Sequence, residues 1–186
     1  MPSLDAAKRD LRDEIRRKLP APGTPAHVAA SVAAQERLAS TPLALAARMV
    51  GLYRALPSEC GTASLAAALQ SLGKEICYPA VAGGTLQFRR PSDVFARGAL
   101  GVEEPTGPSV ELAAIDLLVV PAIAVDARGR RLGRGKGFYD ATLARFAAVS
   151  VALVFDAQLV PEVPVDEHDR SVTWVCTEAR LLRTSE

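Results

Sequence analysis

The sequence has few aromatic residues and little net charge, and these scarcities narrow the classes of protein that it can encode. Phenylalanine, tryptophan and tyrosine make up 5% of the 186 residues, and the formal net charge is +1. Both values count against a nucleic-acid partner, because single-stranded nucleic acid is usually bound by basic grooves with stacking aromatic side chains. The longest clean apolar run, residues 117–125, is far too short to cross a bilayer, so we expect no membrane partner.

The cysteines are too few and too scattered for a disulfide framework or a zinc site. Cys60, Cys77 and Cys176 are odd in number and contain no C-x-x-C pair. We therefore expect reduced, buried thiols. Because charged residues begin at Asp5, we expect no secretory signal and a cytoplasmic protein. The length and a hydrophobic fraction of 49% predict a single domain over residues 1–186.

A glycine-rich basic stretch at residues 128–140 is the most informative part of the sequence. It reads R-G-R-R-L-G-R-G-K-G-F-Y-D and lies between an apolar run and a helical pattern of Tyr139, Leu143 and Phe146. Glycine allows close backbone approach and positive φ, and a helix start attracts anions. With Arg and Lys nearby, the stretch predicts a polyphosphate site, although it matches neither a P-loop nor a dinucleotide fingerprint. The alternatives are a solvated basic turn and an Arg-Gly patch for nucleic acid.

Charged residues elsewhere have arrangements that leave their roles open. A helix predicted over residues 3–19 places Lys8 and Arg12 one turn apart at the border of its apolar stripe. Glu59 is an isolated carboxylate in a loop, and residues 161–170 form an acidic, proline-rich loop with an E-H-D triplet. By pattern alone, each of these groups is most simply part of a solvated surface.

Apolar runs that alternate with helical patterns predict the fold class. We expect strands at residues 76–81, 117–125, 149–155 and 172–176. The alternation is typical of a single-domain, three-layer α/β/α fold that is Rossmann-like, with a mostly parallel sheet. Ligands of such sheets bind beyond the carboxyl ends of strands, and the glycine-rich stretch follows the second predicted strand.

Two further helices are predicted before the first of these strands. One covers residues 25–38, with Val28 directed inward and His27 on the surface. The other begins at Pro42 and continues through Leu52. Both are rich in alanine and are expected to be packing layers.

The glycine-rich stretch also resembles a known family. L-G-R-G-K-G-F-Y-D, preceded by V-P-A-I-A-V-D and followed by E-H-D, is similar to segments of the 5-formyltetrahydrofolate cyclo-ligases, or methenyltetrahydrofolate synthetases. The resemblance extends over nearly the whole chain and implies ATP-dependent cyclisation of 5-formyltetrahydrofolate to 5,10-methenyltetrahydrofolate with release of ADP and phosphate. A non-catalytic folate- or nucleotide-binding relative is the alternative, since Ala122, Val125 and Ala141 depart from the family pattern.

The resemblance also implies roles for individual residues and leaves the oligomeric state open. The residues expected to bind ATP are Lys8, Arg9, Asp10, Leu11, Arg12, Arg131, Leu132, Gly133, Arg134, Gly135, Lys136, Gly137, Phe138 and Tyr139. Those expected to bind the folate are Glu59, Arg134, Gly135, Lys136, Gly137 and Phe138. Lys136 and Arg134 are the expected catalytic cations, and Asp140 and Asp169 are expected to hold Mg²⁺.

Three remaining positions are weaker assignments. Phe88 either lines the pteridine pocket or belongs to the core, and Tyr53 has the same two alternatives. Residues 101–105, G-V-E-E-P, match a family segment that is most simply a rigid turn.

Overall fold

The computed structural model describes residues 3–92, 94–98 and 103–185, in which helices and strands alternate over most of the length. The α-helices are α1 (Leu4–Lys18), α2 (Pro25–Ala39), α3 (Pro42–Ala46), α4 (Ala63–Ser71) and α5 (Phe138–Leu143). The strands are β1 (Met49–Gly51), β2 (Glu75–Ala82), β3 (Thr85–Arg89), β4 (Phe95–Arg97), β5 (Glu103–Pro105), β6 (Ser109–Val110), β7 (Leu117–Val120), β8 (Ala124–Val125), β9 (Arg131–Leu132), β10 (Val149–Leu153), β11 (Trp174–Cys176) and β12 (Leu181–Arg183). Short 3-10 helices cover Leu112–Ala114 and Asp156–Gln158.

The main sheet has a parallel centre and antiparallel edges. Its eight strands follow the order β12-β11-β10-β7-β1-β2-β3-β6. The strands from β11 to β2 are parallel to their neighbours, whereas β12 at one edge and β3 and β6 at the other are antiparallel. The mostly parallel sheet expected from the sequence is therefore confirmed, and its apolar central strands are buried as parallel strands usually are.

Both faces of this sheet are covered, which gives the predicted α/β/α layers. Side chains of β7 alternate, so that Leu117 and Val119 face a core formed with α2, α3 and α4. Leu118 and Val120 face the opposite core, to which α5 contributes Leu143. A third cluster lies beside the sheet, where Ile15 of α1 packs against the β8–β9 hairpin.

The helix predicted from residue 42 through Leu52 is wrong beyond Ala46. The segment Met49–Gly51 is instead a central strand, hydrogen-bonded to both β7 and β2. Asp116, just before β7, accepts hydrogen bonds at Oδ2 from the backbone N–H groups of Arg48 (2.8 Å) and Met49 (2.9 Å). Pairing on both sides thus overrides the helical pattern of an alanine-rich segment.

Helix α2 forms where it was predicted but turns a different face inward. Val28 is 50% exposed, whereas His27 is buried, with its ring 5.0 Å from that of Phe155. The inward face also carries Gln35, which donates to the carbonyl of Ser31 and accepts from a backbone N–H of α4. An alanine-rich helix has no strong apolar stripe, so polar contacts decide its orientation, and the surface position predicted for His27 is wrong.

Several smaller expectations are also decided by the fold. Phe88 is buried in the sheet core and does not line the cavity described below. Gly101 and Val102 lie outside the described residues, and Glu103–Pro105 form a strand where a rigid turn was the simplest expectation. In the described part of the chain, no helix is both long enough and apolar enough to cross a membrane.

The cysteines are free thiols, as expected. Cys60, Cys77 and Cys176 are all buried within the sheet cores. Burial raises the pKa of each thiol to about 12, so they remain protonated and unreactive at neutral pH.

We predict that the Asp116→Asn substitution destabilises the fold at neutral pH and that the difference shrinks in acid. Backbone N–H groups of Met49 and Arg48 hold the pKa of Asp116 below its ordinary value of 3.8. Because the folded pKa is the lower one, the carboxylate stabilises the fold above the unfolded pKa and loses this effect as pH falls through the folded pKa. Denaturant unfolding of both proteins between about pH 3 and 6 measures the difference, and a pH-independent gap would contradict the prediction.

Candidate active site

A cavity of about 820 Å³ opens at the carboxyl ends of β7 and β1. Residues 121–123 after β7 and residues 53–59 after β1 contribute to its walls. The glycine-rich loop, the start of α5, one side of α1 and residues 166–170 complete it. This is the edge at which ligands of parallel sheets bind, and it is where the sequence placed the site.

Helix α1 contributes both of its predicted cations, Lys8 and Arg12. Ser3 caps the helix by accepting a hydrogen bond from Ala6 N, and the one-turn spacing brings both side chains to the cavity. Lys8 Nζ lies 2.7 Å from Asp166 Oδ2 and 2.5 Å from Asp169 Oδ2. Burial acts to lower the pKa of Lys8, but the two carboxylates outweigh it, and the net pKa is raised.

The glycine-rich loop adopts a backbone that requires glycine at two positions. Gly135 has φ +86° and Gly137, the residue before α5, has φ +70°, both in the left-handed region. Arg12 crosses from α1 and donates from Nε to the carbonyl of Gly133 at 3.0 Å. The loop is therefore tied to α1, as a site shared by both elements requires.

The buried carboxylate of Asp126 fixes the turn that precedes this loop. It accepts hydrogen bonds at Oδ1 from the backbone N–H groups of Arg128 (3.0 Å) and Arg130 (3.1 Å). At Oδ2 it accepts from Arg130 Nε (2.7 Å) and from the backbone of Val163 (3.0 Å). One side chain therefore joins the β8–β9 hairpin to the acidic loop at residues 161–170.

Arg131 is a buried cation with an incomplete set of partners. It donates from Nη2 to Asp140 Oδ1 at 2.8 Å and lies 5.9 Å from the centre of the Tyr139 ring. Its Nε has no hydrogen-bond partner among the described residues. Burial lowers the pKa of Arg131 and raises that of Tyr139. The cavity thus contains a desolvated guanidinium with an unused donor.

Arg134 and Glu59 form an ion pair across the cavity. Arg134 Nε donates to Glu59 Oε1 at 3.0 Å, and its Nη2 donates to the Ser58 hydroxyl at 3.2 Å. Glu59 is only 12% exposed and also accepts from the backbone N–H of Leu56 at 2.8 Å. The carboxylate is therefore oriented before any ligand arrives.

Lys136 differs from the other cations of the cavity. It is exposed and has no hydrogen bond or ion pair with any residue that the structure describes. Its ammonium group remains available to an anionic ligand.

Most of the residues predicted for the site are brought together, and three from α1 are not. Those that line the cavity are Lys8, Arg12, Glu59, Arg131, Leu132, Gly133, Arg134, Gly135, Lys136, Gly137, Phe138, Tyr139, Asp140 and Asp169. Arg9 and Asp10 are exposed outside it, and Leu11 packs in the cluster around Ile15. The helical period explains this, because residues adjacent to Lys8 and Arg12 point to other sides of the helix.

Other lining residues were missed by sequence reasoning. Asp166 and Arg170 flank the E-H-D triplet, and Arg170 donates its backbone N–H to Asp140 Oδ1 at 3.1 Å. An apolar wall consists of Pro79, Val81 and Leu86. The two charged residues could have been predicted as site residues, because they are next to the E-H-D triplet in the sequence. The apolar wall could not, because its pattern is that of ordinary strand residues.

The departures from the family pattern lie in different environments. Ala122 and Ala141 line the cavity, whereas Val125 is fully buried in the sheet core and does not.

Tyr53 lines the cavity and is buried, with its hydroxyl donating to the Cys60 carbonyl at 2.6 Å. His168 is also at the cavity, with its side chain 86% exposed beside Glu167.

Asp140 and Asp169 are the two carboxylates predicted to hold a metal, and both line the cavity, which also has the carboxylates of Asp5, Glu59, Glu104 and Asp166. Within the described residues, no group of three or more His, Cys, Asp or Glu side chains is arranged to hold a metal ion alone. Mg²⁺ usually takes only one or two carboxylates and completes its shell with water and substrate phosphates. The two carboxylates fit such a partial site, provided that a polyphosphate supplies further ligands.

Comparisons with known proteins agree with this arrangement. The model of the 5-formyltetrahydrofolate cyclo-ligase family matches residues 4–178. The chain is 37% identical over 151 residues to the 5-formyltetrahydrofolate cyclo-ligase of Mycolicibacterium smegmatis, covering 74% of this chain and 77% of the relative. It is 30% identical over 159 residues to the enzyme of Escherichia coli K12, covering 80% and 87%. The NMR structure of Aquifex aeolicus 5,10-methenyltetrahydrofolate synthetase superimposes with a TM-score of 0.86 at 28% identity, covering 96% and 93%.

We predict that Asp126→Asn destabilises the protein by about 3 kcal/mol, because an amide would face two donors that now share a buried carboxylate oxygen. Glu162→Gln is the matched control, since Glu162 contacts the same Arg130 at 3.3 Å but is 74% exposed. Its unfolding free energy is expected to stay close to that of the unmodified protein. Denaturant unfolding measures both, and equal losses would show that burial of Asp126 is not the cause.

Proposed function

The chain belongs to the 5-formyltetrahydrofolate cyclo-ligase family, and we propose that it converts 5-formyltetrahydrofolate and ATP to 5,10-methenyltetrahydrofolate, ADP and phosphate. The observation that carries the proposal is the group of cations around one cavity at the sheet edge. Lys8, Arg12, Arg131, Arg134 and Lys136 all line it. Among them are the unused Nε of Arg131 and the unpaired ammonium of Lys136. A triphosphate would pair with the exposed ammonium of Lys136, whereas the Arg131 Nε is buried and lies out of its reach.

The chemistry explains why ATP is needed. The formyl oxygen of the folate is an amide oxygen and a poor leaving group. Attack of this oxygen on the γ-phosphorus breaks the bond to ADP and gives an imidate phosphate. The N10 nitrogen then attacks the formyl carbon, the ring closes with loss of the N10 proton, and the carbon–oxygen bond breaks as phosphate leaves. No protein nucleophile is required, and catalysis consists mainly of positioning and charge neutralisation.

The cations are assigned to the phosphates by position. Lys8 and Arg12 approach from α1, Arg131 from β9, and Lys136 from the loop. Arg134 and Lys136 are assigned to stabilise the negative charge that develops during phosphoryl transfer, because both are exposed on the glycine-rich loop and line the cavity. Positioned positive groups stabilise such charge strongly in a site that excludes water.

The folate is assigned to the part of the cavity around Glu59. The apolar wall of Pro79, Val81 and Leu86 suits an aromatic ring system. Phe138 also lines the cavity and supplies an aromatic face. The oriented carboxylate of Glu59 would accept hydrogen bonds from ring N–H groups of the pteridine.

Asp140 and Asp169 would hold Mg²⁺ together with phosphate oxygens of ATP. When bound, the ion neutralises charge on the β- and γ-phosphates. In the protein itself, Asp140 is oriented by Arg131 and by the Arg170 backbone, and Asp169 by Lys8. The free, buried thiols suit a reducing compartment, so we place the reaction in the cytoplasm.

Lys136→Ala is expected to abolish turnover and leave the fold intact, because the side chain is exposed and supports no other residue that the structure describes. The measurement is absorbance of methenyltetrahydrofolate with and without ATP. Arg145→Ala is the control, since it removes an exposed cation beyond the end of α5 that does not line the cavity. Full activity of Lys136→Ala would remove the loop from the mechanism. ATP binding without product in the unmodified protein would identify a non-catalytic relative.

Asp140→Asn is expected to raise the Mg²⁺ concentration needed for half-maximal activity. The amide keeps an oxygen that can accept from Arg131 and Arg170 but binds a hard cation less well than a carboxylate. Initial rates over a Mg²⁺ titration measure the effect, and chelation with EDTA should abolish activity of both proteins. An unchanged titration curve would count against the metal role of Asp140.

A further inference from the structure

A ring of hydrogen bonds connects Lys8 to Asp166 and Asp169. Asp166 Oδ2 accepts from Lys8 Nζ at 2.7 Å, and Asp169 Oδ2 accepts from the same nitrogen at 2.5 Å. The backbone N–H of Asp166 donates to Asp169 Oδ2 at 2.9 Å and closes the ring. The second oxygen of Asp166, Oδ1, accepts from His168 N at 2.9 Å. Asp166 therefore uses one carboxylate oxygen, Oδ1, to bind the backbone of its own loop and the other, Oδ2, to bind Lys8.

The ring fixes a side chain that would otherwise be mobile. The side chain of Lys8 is 12% exposed, and those of Asp166 and Asp169 are 38% and 20% exposed. A free lysine side chain carries substantial rotamer entropy, and a ligand must overcome the loss of this entropy if the side chain is not already held. Two of the three ammonium N–H groups are used by the carboxylates, and the third remains for a ligand in the cavity.

The two carboxylates are not equivalent in the proposed reaction. Asp169 is assigned to Mg²⁺, so part of its negative charge is committed to the ion once ATP is bound. Asp166 has no such assignment and remains the partner of Lys8 throughout. One carboxylate is enough to neutralise a partly buried lysine. The second carboxylate on Lys8 therefore has a use only if the first is engaged by the metal ion.

We propose that Asp166 is a positioning residue, which holds the Lys8 ammonium beside the ATP phosphates while Asp169 binds the metal. This inference rests on the function proposed above, which assigns Lys8 to ATP. It differs from a purely structural role, in which Asp166 would only fasten the acidic loop to α1.

The variant Asp166→Asn separates these two roles. Its side-chain oxygen can still accept from His168 N, whereas its NH₂ group faces Lys8 and cannot accept a hydrogen bond. We expect the KM for Mg-ATP to rise roughly tenfold, with the KM for the folate unchanged. Asp166→Glu, which restores a carboxylate, should recover most of the loss. An unchanged or lowered KM for Mg-ATP in Asp166→Asn would overturn the inference.

A double-mutant cycle with Lys8→Ala tests whether Asp166 acts through Lys8. We expect Lys8→Ala and the double variant to have the same KM for Mg-ATP, because the group that Asp166 positions is absent from both. A further rise in the double variant would show that Asp166 acts independently and would overturn the inference. Asp13→Asn is the control, since Asp13 forms an exposed ion pair with Arg16 at 3.0 Å on the same helix and should leave the kinetics unchanged.

The same cycle distinguishes failure of this inference from failure of the proposed function. If Lys8→Ala shows unmodified ATP kinetics, the assignment of Lys8 to ATP is wrong, and the role of Asp166 is rejected with it. If Lys8→Ala is impaired but Asp166→Asn is not, the proposed function stands and only the inference is rejected. Thermal unfolding of each variant confirms that the comparisons are made on folded protein.

Discussion

The buried carboxylate of Asp126 holds together the two loops from which the site is made. An unpaired carboxylate in the interior would cost several kcal/mol, so its four donors must stay in place in the folded protein. Those donors belong to the turn at residues 128–130 and to Val163. The arrangement brings the glycine-rich loop and the acidic loop to the same edge of the sheet, where Lys8 contacts Asp166 and Asp169.

The cavity has a balance of paired and unpaired charge that suits a highly charged ligand. Acidic side chains orient Lys8, Arg131 and Arg134, whereas Lys136 is left for the ligand. Preorganised charges of this kind need little rearrangement when a phosphate arrives. Arg134, which is assigned to the phosphoryl group, pairs with Glu59, which is assigned to the folate, so the two binding regions of the proposed site meet at this ion pair.

The sequence predicted an element correctly where a local pattern specifies its structure, and incorrectly where a contact with a distant part of the chain does. Four strands of the parallel centre (β2, β7, β10 and β11), the course of α1 and the glycine-rich loop follow from hydrophobic periodicity and from residues with special backbone preferences. Strand β1 was missed because its pairing depends on β2 and β7 and on Asp116, 67 residues from Met49. The orientation of α2 was missed because an alanine-rich helix does not specify its own buried face.

The sequence alone determined the fold class, the position of the glycine-rich loop and the family, because local motifs and the periodicity of neighbouring residues encode them. Only the tertiary structure decided which charged side chains meet. Glu59 and Arg134 lie 75 positions apart and Lys8 and Asp166 lie 158 apart, yet each pair is in direct contact. Contacts between residues so distant along the chain are set by the packing of the sheet and its loops, and no local pattern encodes them.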